Sequence, residues 1–185
     1  MAEQLTGKRI AFLVANSGVE QIELTAPWQA VTGAGGDPVL LAPEKSTVQA
    51  FEHDVEKADT FEADEAVGSV SPAEFDALVL PGGTTNADAL RTEPDAVAFV
   101  AGFAEAGKPI AAICHGPWTL VEADVLRGKT LTSWPSLKTD IRNAGGEWRD
   151  VESFTCPVGG WTLVTSRNPG DLDAFNPALI KAFAG

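Results

Sequence analysis

The sequence predicts an α/β fold in which a mostly parallel sheet is covered on both faces by helices. Three observations predict it. The continuous apolar runs 8–15 (KRIAFLVA), 38–42 (PVLLA), 76–80 (DALVL) and 110–113 (IAAI) have the length and unbroken hydrophobicity of strands buried on both sides. Segments with helical spacing lie between them, so strand–helix–strand units recur along the chain. Glycine and proline fall where these segments meet, as breakers between elements should.

The 185 residues suit one domain spanning 1–185. Twenty-six acids against 13 bases give a formal net charge of −13, a sign that argues against nucleic acid or an anionic membrane as a partner. No apolar run approaches the about 20 residues that cross a bilayer. The opening MAEQLTGKR carries no long apolar segment, and Cys114 and Cys156 lie too far apart in sequence to make a disulfide framework. A cytoplasmic protein with reduced thiols is the expectation.

In chain order, 19–34 has helical spacing, with Ile22, Leu24, Trp28 and Val31 as its apolar positions and Gly33, Gly35 and Gly36 as its stop. Glu20 then stands at the start of the first helix, just past the first strand. Residues 44–70 are acidic and irregular, and 48–51 with 60–63 read as a hairpin around the charged turn EHDVEKAD. Ser71, Pro72 and Glu74 have the spacing of a capped helix start. The DALVL strand runs directly into Pro81-Gly82-Gly83. Helices are expected over 86–91, 94–106, 117–124 and 134–143, and a turn over 127–129. Residues 152–158 and 161–166 flank Gly159-Gly160 as a hairpin, and 171–183 form a closing helix that Asn176-Pro177 should interrupt or kink.

The stretch 108–118, KPIAAICHGPW, carries the chemistry. Its cysteine ends a strand and precedes residues that open a helix, with small Ala112 and Gly116 two positions to either side, as a sharp nucleophile-bearing corner requires. A buried structural cysteine has no need of that context. Helix-start amides stabilise a thiolate, and the amides of His115 and of Gly82 or Gly83 are placed to form an oxyanion hole. Ligands of parallel sheets bind beyond the strands' carboxyl ends, where Glu20, Gly82-Gly83 and Cys114 all fall. A first-turn acid is often only a partner of the helix dipole. Beside this pocket, Glu20 instead reads as a protonated carboxyl that donates to the sulfur and titrates with it as a pair. His115 reads equally as a partner of the nucleophile or as a structural histidine, and His53 as a surface residue. No histidine follows His115, which excludes a triad with a downstream histidine in one subunit. Cys156 reads as inert core. No metal site and no cofactor are expected, because ligand spacing and a phosphate loop or dinucleotide fingerprint are missing.

The segments VEQIEL, FDALVLPGG, GKPIAAICHGPW, VLRGKTLTSWPSLKTDIRNAGGEW and LVTSR together resemble the PfpI-type intracellular protease family, in the superfamily of the Parkinsonism-associated deglycase with its class I glutamine amidotransferase-like fold. The resemblance covers residues 7–183. It implies a flavodoxin-like three-layer sandwich, a nucleophilic Cys114, Glu20 as its carboxyl partner and His115 adjoining it. It also implies homodimers or hexamers of dimers, with Asp88 of a neighbouring subunit as the match to the acid that orients the histidine in the protease arrangement. Family activities span peptidase, glyoxalase-like and deglycase chemistry and oxidative-stress resistance. The implied reading is a stress-response enzyme whose Cys114 attacks small carbonyl compounds or glycated substrates. An oligomeric cysteine peptidase and a redox sensor or chaperone are its alternatives.

Overall fold

In the computed structural model, which describes residues 4–185, the central sheet is built from the apolar runs. Residues 1–3 of the opening MAEQLTGKR lie outside the described residues. The strands in chain order are β1 Arg9–Leu13, β2 Ser17–Glu20, β3 Asp37–Ala42, β4 Thr47–Glu52, β5 Glu56–Glu62, β6 Glu65–Ala66, β7 Ala77–Leu80, β8 Ile110–Ile113, β9 Thr130–Leu131, β10 Glu147–Trp148, β11 Ser153–Cys156 and β12 Leu163–Ser166. Seven of them form one sheet in the order β11-β12-β8-β7-β1-β3-β6. Every neighbouring pair in it is parallel except the edge pair β11–β12. The chain moves from β1 to β3 on one side and returns to β7 on the other, so the order reverses at β1, where such sheets open a crevice.

The α-helices are α1 Gln21–Gly33, α2 Thr84–Leu90, α3 Pro94–Glu105, α4 Pro117–Glu122, α5 Lys138–Asn143 and α6 Leu172–Ala184. Successive strand side chains point to opposite faces, which splits the core in two. Ala11, Leu13, Leu78, Leu80, Ile110 and Ala112 face α3, α4 and α5 through Phe99, Phe103, Leu120 and Ile141. Ile10, Phe12, Val79, Ala111 and Ile113 face α1 and α6 through Leu24, Val31, Phe175 and Phe183. Each fully buried large side chain of this kind contributes roughly 1.5–3 kcal/mol. The result is the flavodoxin-like three-layer arrangement.

Several elements differ from expectation. Residues 17–20 form a short strand that pairs in parallel with β4, while β4 and β5 make the expected hairpin. Its turn is tighter than EHDVEKAD suggests, since β5 resumes at Glu56. The capping box at Ser71 and Glu74 is present but heads only the three-residue 3-10 turn Pro72–Glu74, because the chain must enter β7 immediately. The segment at 134 likewise starts as a 3-10 turn, Pro135–Leu137, before α5. Pro177 lies inside α6 without ending it. Leu172, Phe175, Leu179 and Phe183 hold that helix to the sheet on both sides of the proline.

Candidate active site

Cys114 follows β8 with φ 61°, a left-handed conformation that costs an L residue about 1–2 kcal/mol. Three backbone hydrogen bonds hold it there: Cys114 N–H to Ser166 O at 3.0 Å, Trp134 N–H to Cys114 O at 2.9 Å and Gly116 N–H to Ile113 O at 2.9 Å. A side chain at Gly116 would collide with the Leu80 carbonyl, so the small residue after the cysteine is required by the close approach of β7. The sulfur is turned toward the end of β7, where the backbone amides of Gly83 and His115 face it. The Gly82 amide points instead at Glu23.

The carboxyl group beside the thiol is that of Glu23. It is fully buried on the first turn of α1. The polar groups facing it are the Cys114 side chain and the Gly82 amide, yet neither of its oxygens meets a donor in hydrogen-bond geometry. A Cβ at Gly82 would strike Glu23 Oε2 and lie 2.6 Å from Cys114 Cβ, so the glycine is what lets carboxyl and thiol approach. Burial first, and then the charges of Glu20 and Asp54, push Glu23 from 4.5 up to about 8. At neutral pH Glu23 holds its proton. Burial, followed by the Glu23 charge, raises the Cys114 thiol, while the Gly83 and His115 amides oppose that rise.

The expected place of Glu20 is thereby corrected. Glu20 is the N-cap residue of α1, and its carboxylate accepts the His53 amide at 3.1 Å and the Asp54 amide at 3.0 Å. His53 and Asp54 form the β4–β5 tip with φ 54° and 64°. Two consecutive left-handed residues aim both N–H groups at one anion, so Glu20 clamps the hairpin onto the site. Lying one helical turn apart, the two acids share the inward side of α1, and the buried set Glu23, Leu24, Pro27 and Val31 shows the register that sequence spacing misses. Ile22, an expected core position, is 45% exposed.

His115 is buried between Trp134, stacked at 5.7 Å, and Trp118, tilted at 6.0 Å. Its Nδ1 lies 3.2 Å from Cys114 Sγ, so the ring lies against the thiol. Its Nε2 lies 3.3 Å from Thr84 Oγ1. The Thr84 amide and hydroxyl both donate to Asp54, at 2.8 and 2.9 Å. Burial lowers the His115 pKa, and the Asp54 charge opposes that shift. Asp88 stands exposed on α2, while both ring nitrogens of His115 find partners elsewhere in the chain. Asn86, buried at the start of α2, ties the β1 end to the glycine loop. It accepts the Ala15 amide at 2.7 Å and donates to the Pro81 and Gly82 carbonyls.

These groups surround a cavity of about 310 Å³ lined by Glu20, Glu23, His53, Asp54, Gly83, Cys114, Trp134 and Pro169. His53 is thus exposed but at the rim of the site. Glu23, Asp54, Thr84 and Trp134 were not legible as site residues; only the helical register of Glu23 offered a signal. Cys156 lies apart, buried, with the Thr130 amide 3.4 Å from its sulfur.

Residues 8–182 match the DJ-1/PfpI family. Protein/nucleic acid deglycase 2 of Escherichia coli is 40% identical over 174 residues, covering 94% of this chain and 96% of its own. General stress protein 18 of Bacillus subtilis is 37% identical over 171 residues, covering 92% and 94% respectively. Among solved structures, a two-domain protein of Anabaena variabilis with DJ-1/ThiJ/PfpI-like and ferritin-like domains superposes with a TM-score of 0.84 at 34% identity. That match spans 94% of this chain and 49% of the two-domain chain. The likeness runs from the first central strand to the last helix, and the chain belongs to the DJ-1/PfpI family.

Proposed function

We propose that this protein is a cysteine-dependent enzyme of the deglycase and glyoxalase type, acting on α-oxoaldehydes and their adducts with amines. The observation that carries the reading is Cys114 itself. Its thiol is held in a strained corner, with a base at 3.2 Å and a buried carboxyl against it, at the floor of a 310 Å³ cavity. The name of the E. coli relative, a protein/nucleic acid deglycase, supports the deglycase part of this reading.

Cys114 adds to the aldehyde carbon of methylglyoxal, its proton passing by way of His115 to the carbonyl oxygen, and a hemithioacetal forms. Glu23, in the role expected of Glu20, acts in its ionised form, the minor one at neutral pH. It carries the proton from the former aldehyde carbon to the neighbouring ketone carbon while the hemithioacetal hydroxyl proton passes to the ketone oxygen. The first carbon is oxidised to a thioester and the second reduced to an alcohol, so no external oxidant is needed. Water then releases lactate and restores the thiol. The Gly83 and His115 amides face the position where negative charge develops. Incubation with methylglyoxal should yield lactate, and Cys114→Ala should lose at least a hundredfold in rate. Equal rates for the two proteins would sink the reading.

A redox role is favoured by a separate observation. At neutral pH the protonated Glu23 beside Cys114 can donate to the oxygen of a sulfenic acid, which forms with water when the thiol meets hydrogen peroxide. The name of the Bacillus subtilis relative, a general stress protein, supports such a role. Intact-mass analysis after mild peroxide should place added oxygen on Cys114 before Cys156; equal oxidation of both argues against a specialised site. A peptidase with Asp88 from a neighbouring subunit of a homodimer or hexamer is the weaker reading, because Thr84 of the same chain already occupies the outer nitrogen of His115.

A further inference from the structure

We infer that the chain completes its own Cys–His–acid relay through Thr84 and Asp54, with Asp54 as the positioning acid and Glu20 as the clamp that holds it. The groups form an unbroken line. Cys114 Sγ lies 3.2 Å from His115 Nδ1, His115 Nε2 lies 3.3 Å from Thr84 Oγ1, and Thr84 Oγ1 lies 2.9 Å from Asp54 Oδ2. Hydrogen counting fixes the direction of each bond. An ionised carboxylate only accepts, so the single hydroxyl proton of Thr84 goes to Asp54. Toward the ring, Thr84 therefore has only a lone pair to offer, and His115 carries its proton on Nε2. In the neutral imidazole Nδ1 is then unprotonated and points at the thiol.

The thiol proton moves from Sγ to Nδ1, giving a thiolate and an imidazolium whose far N–H is hydrogen-bonded toward the Asp54 charge. This is the orienting role that an acid plays behind a catalytic histidine, here exercised through one intervening hydroxyl. The ring cannot turn away to seek another partner, because Trp134 and Trp118 flank it.

Asp54 reaches Thr84 only because the hairpin tip is bent over the glycine loop. The tip holds two left-handed residues whose amides both bind Glu20. That explains a second buried carboxylate so near Glu23. Glu20 accepts both hairpin amides and so secures the element that carries the relay's acid.

The inference rests on Cys114 being the nucleophile, and its test does not depend on turnover. The chain has two histidines, so long-range ¹⁵N–¹H spectra of the full chain separate His115 from His53. Neutral His115 is expected as the Nε2–H tautomer, and an Nδ1–H tautomer overturns the relay. Cys114 alkylation by iodoacetamide, followed by intact mass across pH 5–10, supplies the second readout. Thr84→Val and Asp54→Asn should each slow alkylation at pH 7 about tenfold and move its profile to higher pH by about one, while Thr84→Ser keeps the wild-type profile. If Asp54→Asn does not fold, the two Thr84 variants, which leave the hairpin backbone untouched, decide. A wild-type profile in folded Thr84→Val, or equal losses in Thr84→Ser and Thr84→Val, overturns the proposal. The expected shifts in a protein that forms no lactate uphold the relay and refute the deglycase reading instead.

Discussion

An ionised Glu23 has nowhere to place its charge. No donor satisfies either oxygen, and Glu20 and Asp54 stand close enough to raise its pKa. The carboxyl goes from 4.5 to about 8 on folding, chiefly through burial. The folded state therefore binds a proton that the unfolded state has lost over that interval, and stability falls as pH rises from about 4.5 to about 8. Below that window Glu23 costs nothing as an ion; above it the full penalty applies. Glu23→Gln should flatten the curve. Denaturant unfolding at pH 7.5 should show it more stable than the parent by on the order of 3 kcal/mol, because each tenfold difference in proton affinity between the folded and unfolded states is worth about 1.4 kcal/mol. At pH 4.5 the two should differ little. A parallel pH dependence in the two proteins would mean that Glu23 ionises freely. Gln keeps the shape and loses the titrating proton, so gained stability and lost turnover together would mark strain retained for chemistry.

At the scale of elements, what the sequence made legible depended on how local the cause was. The main strands announced themselves because burial on both faces leaves no polar position, and the cysteine corner because it needs small neighbours. Strand β2, four residues with Val19 as its one large apolar side chain, exists only because β4 offers it an edge. The β9–β10 pair is likewise made by tertiary approach. The site was legible in proportion. Cys114 and the glycine loop follow from strand ends, whereas Glu20 and Glu23 lie one turn apart on the same side of the helix start, and a count from the strand's end cannot resolve which of them reaches the sulfur. Asp54 reaches the site through a hairpin folded back over it. Nothing in EHDVEKAD specifies that contact, which is made by Thr84 30 residues away.

At the scale of the whole molecule, the sheet order collects ends of β1, β7 and β8 at one crevice, and the excess of acid gives that crevice a sign. Its lining includes Glu20 and Asp54 beside the neutral Glu23 and, among the described residues, contains no lysine or arginine, on a chain of formal net charge −13. Arg167, close in sequence to Pro169, is already bound by Asp150 and Asp171. Low-dielectric walls concentrate such a field on whatever enters, so uncharged carbonyls and cationic amine adducts are admitted in preference to anions. Alkylation of Cys114 tests this without knowledge of the substrate. Measured against a small free thiol to remove intrinsic reactivity, neutral iodoacetamide should outpace anionic iodoacetate by about tenfold at low ionic strength. The gap should narrow as salt rises from about 0.01 to about 0.5 M, since the screening length falls from about 30 Å to a few ångströms. A ratio like that of the free thiol at every salt concentration would show that the crevice exerts no charge selection, and the preference for neutral substrates would then have to come from shape alone.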